Sequence, residues 1–499
     1  MADRTVDVLI VGAGLSGIGA AYRLQERRSD LSYEIVEARA AIGGTWDLFR
    51  YPGVRSDSDI FTLSFPFRPW RGKDAIVDGD SIRTYLVDTA REFGIDRHIR
   101  FSTRVVSADW SSEKARWTVR VVTGDDQHEE TYEARFVSFC SGYYDYAAPY
   151  DPGFAGIEDF AGRLVHPQFW PEDLDYAGKK VVVIGSGATA VTIVPAVAEQ
   201  AGHVTMLQRT PTYVVAQPRQ DAIGNAVRSV LPAKAGHLAV RTKNTALQWA
   251  FYQACRRLPG TMAGLFHKGA ASATGSQAVA DAHFSPPYKP WDQRLCISPG
   301  GDLFEAIRTG RASVVTDRID RFVDNGILLE SGDVLEADVV ITATGLSLQL
   351  LGGATISVDG APVDLRDTVA YRACMLSGVP NFAFCVGYIN LSWTMRSDMT
   401  ARLVARIIDR VTQVPTGTVT PTLDGAPASR PLMDMQSGYL RRSADLLPRA
   451  TRQYPWAMAQ NVVVDSWQTN RADLDKGLVW TTAPTSTVTA TASATRTSA

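Results

Sequence analysis

The sequence predicts an α/β fold: two dinucleotide-binding, Rossmann-like domains with a helical insertion. Two stretches each run as a β-prone apolar segment, a glycine turn, a helical pattern and a second β-prone segment. Between residues 221 and 285 the composition changes, with alanine, leucine and arginine recurring at helical spacing. The first unit opens on residues 6–11, turns at Gly12, reads as helix from Leu15 to Gln25 and returns as a strand over residues 32–37. The second opens on residues 181–184, turns at Gly185, reads as helix from Val191 to Gln200 with a kink at Pro195, and returns over residues 204–208. Residues 101–138 alternate as an antiparallel meander, and residues 311–345 return to strands. The expected division is therefore 1–145 with 336–480, 146–220 with 286–335, and a helical insertion at 221–285. Residues 481–499 are nearly all Thr, Ala and Ser, cannot bury a core, and are expected to be a disordered tail.

Composition removes several function classes. The net charge of −2, from 51 basic and 53 acidic residues, gives no broad basic face for nucleic acid. The five cysteines (Cys140, Cys255, Cys296, Cys374 and Cys385) are widely spaced and include no CxxC pair. That disfavours a disulfide scaffold, a disulfide reductase and a zinc site, and no metal is expected. The N-terminus lacks a signal-peptide apolar region, and no run of about twenty apolar residues suggests a membrane span, so the expected location is cytoplasmic.

The first glycine turn is Gly12-Ala-Gly14-Leu-Ser16-Gly17. Gly12 permits the tight turn, Gly14 lets the backbone approach a pyrophosphate, and Gly17 lets helix and strand pack closely. The phosphates then meet the unpaired N–H groups and positive dipole end of the helix. Glu37, twenty residues after Gly17, is placed to accept hydrogen bonds from ribose hydroxyls and would repel a 2′-phosphate. The second turn is Gly185-Ser186-Gly187-Ala188-Thr189-Ala190, and its second strand ends in Gln208-Arg209-Thr210. Arginine and threonine at the ribose position suit a 2′-phosphate. The first turn thus reads as an FAD or NAD site and the second as an NADP site, a pairing expected of a flavoprotein reduced by NADPH.

Between the turns lies Phe160-Ala-Gly162-Arg-Leu-Val-His166-Pro-Gln-Phe-Trp170-Pro171. It resembles the FxGxxxHxxxW(P/D) signature of Baeyer–Villiger monooxygenases, class B flavoproteins. Gly43-Gly44-Thr45-Trp46 through Arg55-Ser56-Asp57 is similar to their flavin-contacting segment, and Pro290-Trp-Asp-Gln-Arg294 to the segment with their active-site arginine. Within the family the chain most resembles the ethionamide-activating subgroup, over roughly residues 5–480.

The resemblance implies FAD at Gly12, Gly14, Ser16, Gly17, Glu37, Gly44, Thr45, Trp46, Asp57 and Val105. It implies NADPH at Arg55, Ser56, the second turn, Arg209 and Thr210. It further implies catalysis by Arg294, positioned by Asp57, with Phe160, Gly162, His166, Trp170 and Pro171 in a hinge. The implied reaction converts a small apolar ketone and O2 to an ester or lactone through a C4a-peroxyflavin, and also oxidises sulfides or thioamides. Gln293 stands where many members carry lysine, which leaves Arg209 and Thr210 most of the 2′-phosphate contact.

Two alternatives stay open at this point: an N- or S-oxidising flavin monooxygenase without physiological ketone chemistry, and a flavin redox sensor without turnover. In the insertion, Trp249, Phe251, Tyr252 and Phe266 suit helix packing better than a substrate pocket. Residues 241–257 have the basic-apolar character of a membrane-surface helix, but an intramolecular lid suits them better.

Overall fold

The computed structural model describes residues 2–425, 430–433, 438, 442–443 and 446–482. The first unit comprises β1 (Arg4–Val11), α1 (Leu15–Arg27) and β2 (Tyr33–Val36). Side chains of β1 alternate between two cores. Val8 and Ile10 join Ile18 and Leu24 of α1, while Leu9 and Val11 join Val36 and Trp117 on the other face. Both faces are covered, so the run reads as continuously apolar. The four-residue helix α2 (Ile60–Leu63) follows, capped by the Asp59 carboxylate. Then come β3 (Thr103–Ser111), β4 (Arg116–Thr123) and β5 (His128–Phe139), the expected antiparallel meander. β5 also pairs in parallel with β1.

The second unit contains β6 (Arg163–Val165), β7 (Lys180–Ile184), α3 (Ala188–Val197) and β8 (His203–Gln208). The insertion folds as four helices: α4 (Ala222–Val230), α5 (Ala233–Arg257), α6 (Pro259–Thr274) and α7 (Gln277–His283). β9 (Ala312–Thr316) and β10 (Val339–Thr342) complete a parallel five-stranded sheet in the order β9-β8-β7-β10-β6. The chain then returns to the first sheet, where β11 (Phe382–Phe384) pairs with the end of β5 and α8 (Trp393–Val411) packs beside α1.

Two expected boundaries move. β10 lies between β7 and β6 in the second sheet, so the return to the first unit comes after Gly345 and not at residue 336. A short apolar run fits the middle of either parallel sheet, and nothing in its composition chooses between them. The two crossings between the sheets, Tyr144–Pro149 outward and Leu346–Leu348 back, pair antiparallel as a two-stranded ribbon. At the other end, Leu478–Thr481 pairs with Thr418–Pro421, so Thr481 closes a strand and does not open the tail. Residues 483–499, expected to be disordered, lie outside the described residues.

The helix α5 docks inward. Arg241, only 7% exposed, donates to the carbonyls of Phe61, Thr62 and Ser64 at 2.7–2.9 Å. A membrane-surface role for this end of the segment is therefore set aside, because its first arginine is committed to the protein interior. Phe251 packs on Phe266 at 5.9 Å and Tyr252 on Trp291 at 5.4 Å, while Trp249 adjoins the second core. These aromatic rings serve packing, as their spacing suggested. No helix among the described residues is long and apolar enough to cross a membrane. All five cysteines are buried and free.

Also on α5, His237 is 1% exposed, and burial beside Arg241 holds its imidazole down at about 4 from an ordinary 6.5. Between those values the unfolded chain binds a proton that the native state refuses, so stability falls as pH drops through that window. His237→Gln is expected to flatten this acid loss by about 2 kcal/mol, read from urea unfolding at pH 7 and pH 4.5. Parallel pH curves for variant and wild type would refute the assignment.

Candidate functional site

One cleft of 600 Å³ runs from the first glycine turn to the N-terminus of α3. Its lining brings together Gly12, Gly14, Ser16, Glu37, Gly44, Thr45, Trp46, Arg55, Ser56, Asp57, Val105, Ala188, Thr189 and Arg294, which are spread over nearly 300 positions of sequence.

At the first turn Gly12 adopts φ +102°, and a Cβ on Gly17 would stand 1.8 Å from the Gly12 carbonyl oxygen. α1 begins at Gly14 with no side-chain cap and no acid in its first turn. Its N-terminal N–H groups are thus left for an anion, which fits a pyrophosphate. Glu37, 6% exposed, accepts the Ala13 N–H at 2.6 Å on Oε2 and the Arg39 N–H at 2.8 Å on Oε1. Each oxygen keeps a further lone pair for a ribose hydroxyl. Burial raises the Glu37 carboxyl, and the two N–H groups oppose that shift. The Gly43–Trp46 loop is pinned by Asp47, which pairs with Arg39 at 2.8 Å and Arg50 at 2.7 Å. Thr45 Oγ1 lies 3.2 Å from the Tyr146 hydroxyl. A register shift between Val105 and Ser107 marks a bulge beside the position where Val105 meets the cleft.

Deeper along the cleft, Asp57 faces Arg294 and Arg55. Enclosure raises the Asp57 carboxyl above its ordinary value, an effect that the Arg294 charge and, less strongly, the Arg55 charge only partly offset. Arg55 forms an ion pair with Asp302, whose Oδ1 accepts the Ser298 hydroxyl at 2.7 Å. Trp393, at the start of α8, donates from Nε1 to Ser16 Oγ at 2.8 Å and packs on Tyr143 at 5.1 Å. Asp302, Tyr143, Tyr146 and Tyr388 escaped the sequence reading. Asp302 meets Arg55 across 247 positions, and only the neighbouring Gly300-Gly301 hinted at a special turn there.

The second turn repeats the geometry. Gly185 sits at φ +136°, and a Cβ there would lie 2.4 Å from the Ala343 carbonyl oxygen. Gly187 caps α3 without a side-chain bond, and a Cβ there would meet nothing within 4 Å, leaving room for phosphate at a free helix end. Ser186 Oγ donates to the Thr210 carbonyl at 3.1 Å and lies 3.0 Å from Thr212 Oγ1. Arg209 is exposed just beyond β8, and no acidic side chain among the described residues pairs with it. Gly17, Gly185, Ser186, Gly187, Ala190, Arg209 and Thr210 do not line the 600 Å³ cleft itself.

The linker stretch also stands apart from the cleft; none of Phe160, Gly162, His166, Trp170 and Pro171 lines it. The stretch supplies β6, the edge strand of the second sheet. Gly162 is needed there because a Cβ would come within 2.6 Å of the Asp338 carbonyl oxygen. Phe160 meets Phe322 edge-on at 5.9 Å, and Trp170 meets Tyr176 at 6.3 Å. His166 Nδ1 accepts the Gln168 N–H at 3.1 Å; burial lowers its basicity, opposed by the Gly345 backbone.

Residues 64–254 match the family model for flavin-binding monooxygenase-like proteins, and residues 10–70 match that for NAD(P)-binding Rossmann-like domains. The chain is 50% identical to the FAD-containing monooxygenase EthA of Mycobacterium tuberculosis strain H37Rv over 472 residues, covering 94% of this chain and 96% of the relative. It is 45% identical to the putative FAD-containing monooxygenase MymA of the same strain, covering 96% and 97%. Its fold matches an oxidised steroid monooxygenase bound to NADP, with a TM-score of 0.73 and 22% identity over 95% of this chain and 99% of that one. Half its residues identical to an FAD-containing monooxygenase, over nearly the full length of both chains, place this chain among the class B flavin monooxygenases.

Proposed function

We propose that the enzyme uses O2 to convert small apolar ketones to esters or lactones and also oxidises organosulfur compounds, at the point where Arg294 and Asp57 meet. The observation that carries this reading is that Asp57, Arg55 and Arg294 all line the cleft that reaches both glycine turns, where the two guanidinium charges act on the enclosed Asp57 carboxyl. FAD bound there and reduced by NADPH supplies the oxygen-activating chemistry. The protein supplies the electrostatics. A guanidinium keeps its proton at any working pH, so Arg294 offers fixed positive charge to a developing oxyanion. Asp57 orients Arg294, and Asp302 turns Arg55 toward the same cleft. Leu63, Leu391 and Trp393 line the cleft and favour an apolar substrate over water.

In this reading residues 1–145 with 346–480 hold FAD, through the α1 terminus, Glu37 and the Gly44–Trp46 loop. Residues 146–220 with 286–345 hold NADPH, through the α3 terminus, Ser186, Arg209 and Thr210, with Arg55 and Ser56 on the nicotinamide side. His166 and its neighbours act as a hinge.

Turnover under ¹⁸O2 with a cyclic ketone and a thioether tests the proposal. One labelled oxygen in a lactone supports it. Sulfoxide without lactone leaves an S-oxidising monooxygenase, and flavin reduction with no sustained NADPH oxidation points to the redox-sensor alternative. Arg209→Ala is expected to raise the KM for NADPH about tenfold and leave that for NADH nearly unchanged. An equal rise for both would remove Arg209 from the 2′-phosphate.

A further inference from the structure

The Asp59 carboxylate is 5% exposed and lies two residues beyond Asp57. It caps α2 by accepting the Thr62 N–H at 3.0 Å and the Thr62 hydroxyl at 2.8 Å. The helical insertion supplies its remaining partners. On α5, Asn244 donates to Oδ1 at 3.0 Å and Gln248, one turn on, donates to Oδ2. Arg241, one turn earlier, takes the carbonyls of Phe61, Thr62 and Ser64. A single face of α5 thus grips both ends of α2, its capping acid and its final carbonyls. Thr394 of α8 adds a hydrogen bond to the Leu63 carbonyl. The segment so held, residues 55–64, carries Arg55, Ser56 and Asp57.

We propose that Arg241, Asn244 and Gln248 are positioning residues: through the α2 carbonyls and through Asp59 they fix the backbone that aims Asp57 at Arg294. None of the three lines the cleft, so they act on the reacting atoms only through this segment. A buried carboxylate needs donors on every oxygen, and each of these amides can donate while presenting no charge. The insertion is then part of the catalytic frame as well as a cover. This inference rests on the proposed roles of Asp57 and Arg294.

Gln248→Glu is nearly isosteric but turns the donor into an acceptor facing Asp59, whereas Gln248→Lys keeps a donor. In the full-length flavoprotein, amide hydrogen exchange of the peptide covering residues 55–64 is expected to be about tenfold faster in Gln248→Glu, but not in Gln248→Lys. Oxygenated product per NADPH consumed should fall severalfold in the same variant, with hydrogen peroxide making up the difference and the KM for NADPH unchanged. If the glutamate prevents folding, Gln248→Leu gives the comparison without like charge. Unaltered exchange overturns the clamp, and so does a loosened segment with undiminished product per NADPH. If the wild type makes no oxygenated product from ketone or thioether, the proposed function fails and the exchange measurement alone decides the clamp.

Discussion

Arg294→Ala is expected to yield a yellow protein that NADPH still reduces but whose oxygenated product falls by two to three orders of magnitude, the usual effect of removing a preorganised charge from a developing oxyanion. The flavin contacts proposed at the first glycine turn, Glu37 and the Gly43–Trp46 loop are held by partners other than Arg294. Flavin content should therefore stay near one per chain, and anaerobic bleaching by NADPH should remain complete. Loss appears only after oxygen is admitted, when reducing equivalents leave as hydrogen peroxide. Arg294→Lys should recover only part of the yield, because an ammonium is a point charge that sheds its proton more readily than a guanidinium. Wild-type product yield from the alanine variant would show that the oxygen-inserting step does not use this charge.

Gly17→Ala is expected to abolish flavin retention. The added methyl would stand 1.8 Å from the Gly12 carbonyl oxygen and 3.0 Å from its carbon, both backbone atoms with no side-chain freedom to yield. Relief requires α1 to move off β1, which breaks the phosphate-facing helix end and opens the core of Val8, Ile10, Ile18 and Leu24. Disruption on that scale costs about 3 kcal/mol or more. The readout is the ratio of visible to ultraviolet absorbance after purification, with thermal unfolding alongside. A fully flavinylated, equally stable variant would mean the turn relaxes in a way its geometry does not suggest. Gly187 gives the contrast, since a Cβ there meets no protein atom and only a bound phosphate would suffer.

What the sequence disclosed depended on how local each requirement is. The glycine turns were legible because their constraints act within a few residues: positive φ at Gly12 and Gly185, and contact across five positions between Gly12 and Gly17. The meander was legible from its alternation. Arg294 and Asp57 are singled out only by resemblance, since nothing in their own neighbourhoods says that 237 positions of chain fold back to bring both to one cleft. Asp302 and the Asn244–Gln248 grip on Asp59 stayed hidden for the same reason. They are ordinary polar residues whose significance lies in partners 185 or more positions away. β10 is legible as a strand but its sheet is not, because an apolar strand carries no mark of its neighbours. Composition alone groups Thr481 with the tail, although threonine is well suited to the strand it closes.

The ribbon formed by Tyr144–Pro149 and Leu346–Leu348 has a mechanical consequence. Two tethers leaving a body at separate points would lock it in place, and a single tether would let it swivel freely. Here the outgoing and returning chains are bonded side by side, with Gly142 before the first and Gly345 before the second, both at positive φ. Such a strip flexes readily across its flat face and resists bending in its own plane. Any movement of the five-stranded sheet against its neighbour would thus be channelled into something like the swing of a page on its spine. The spine passes His166 at Gly345, where the histidine ring meets that backbone.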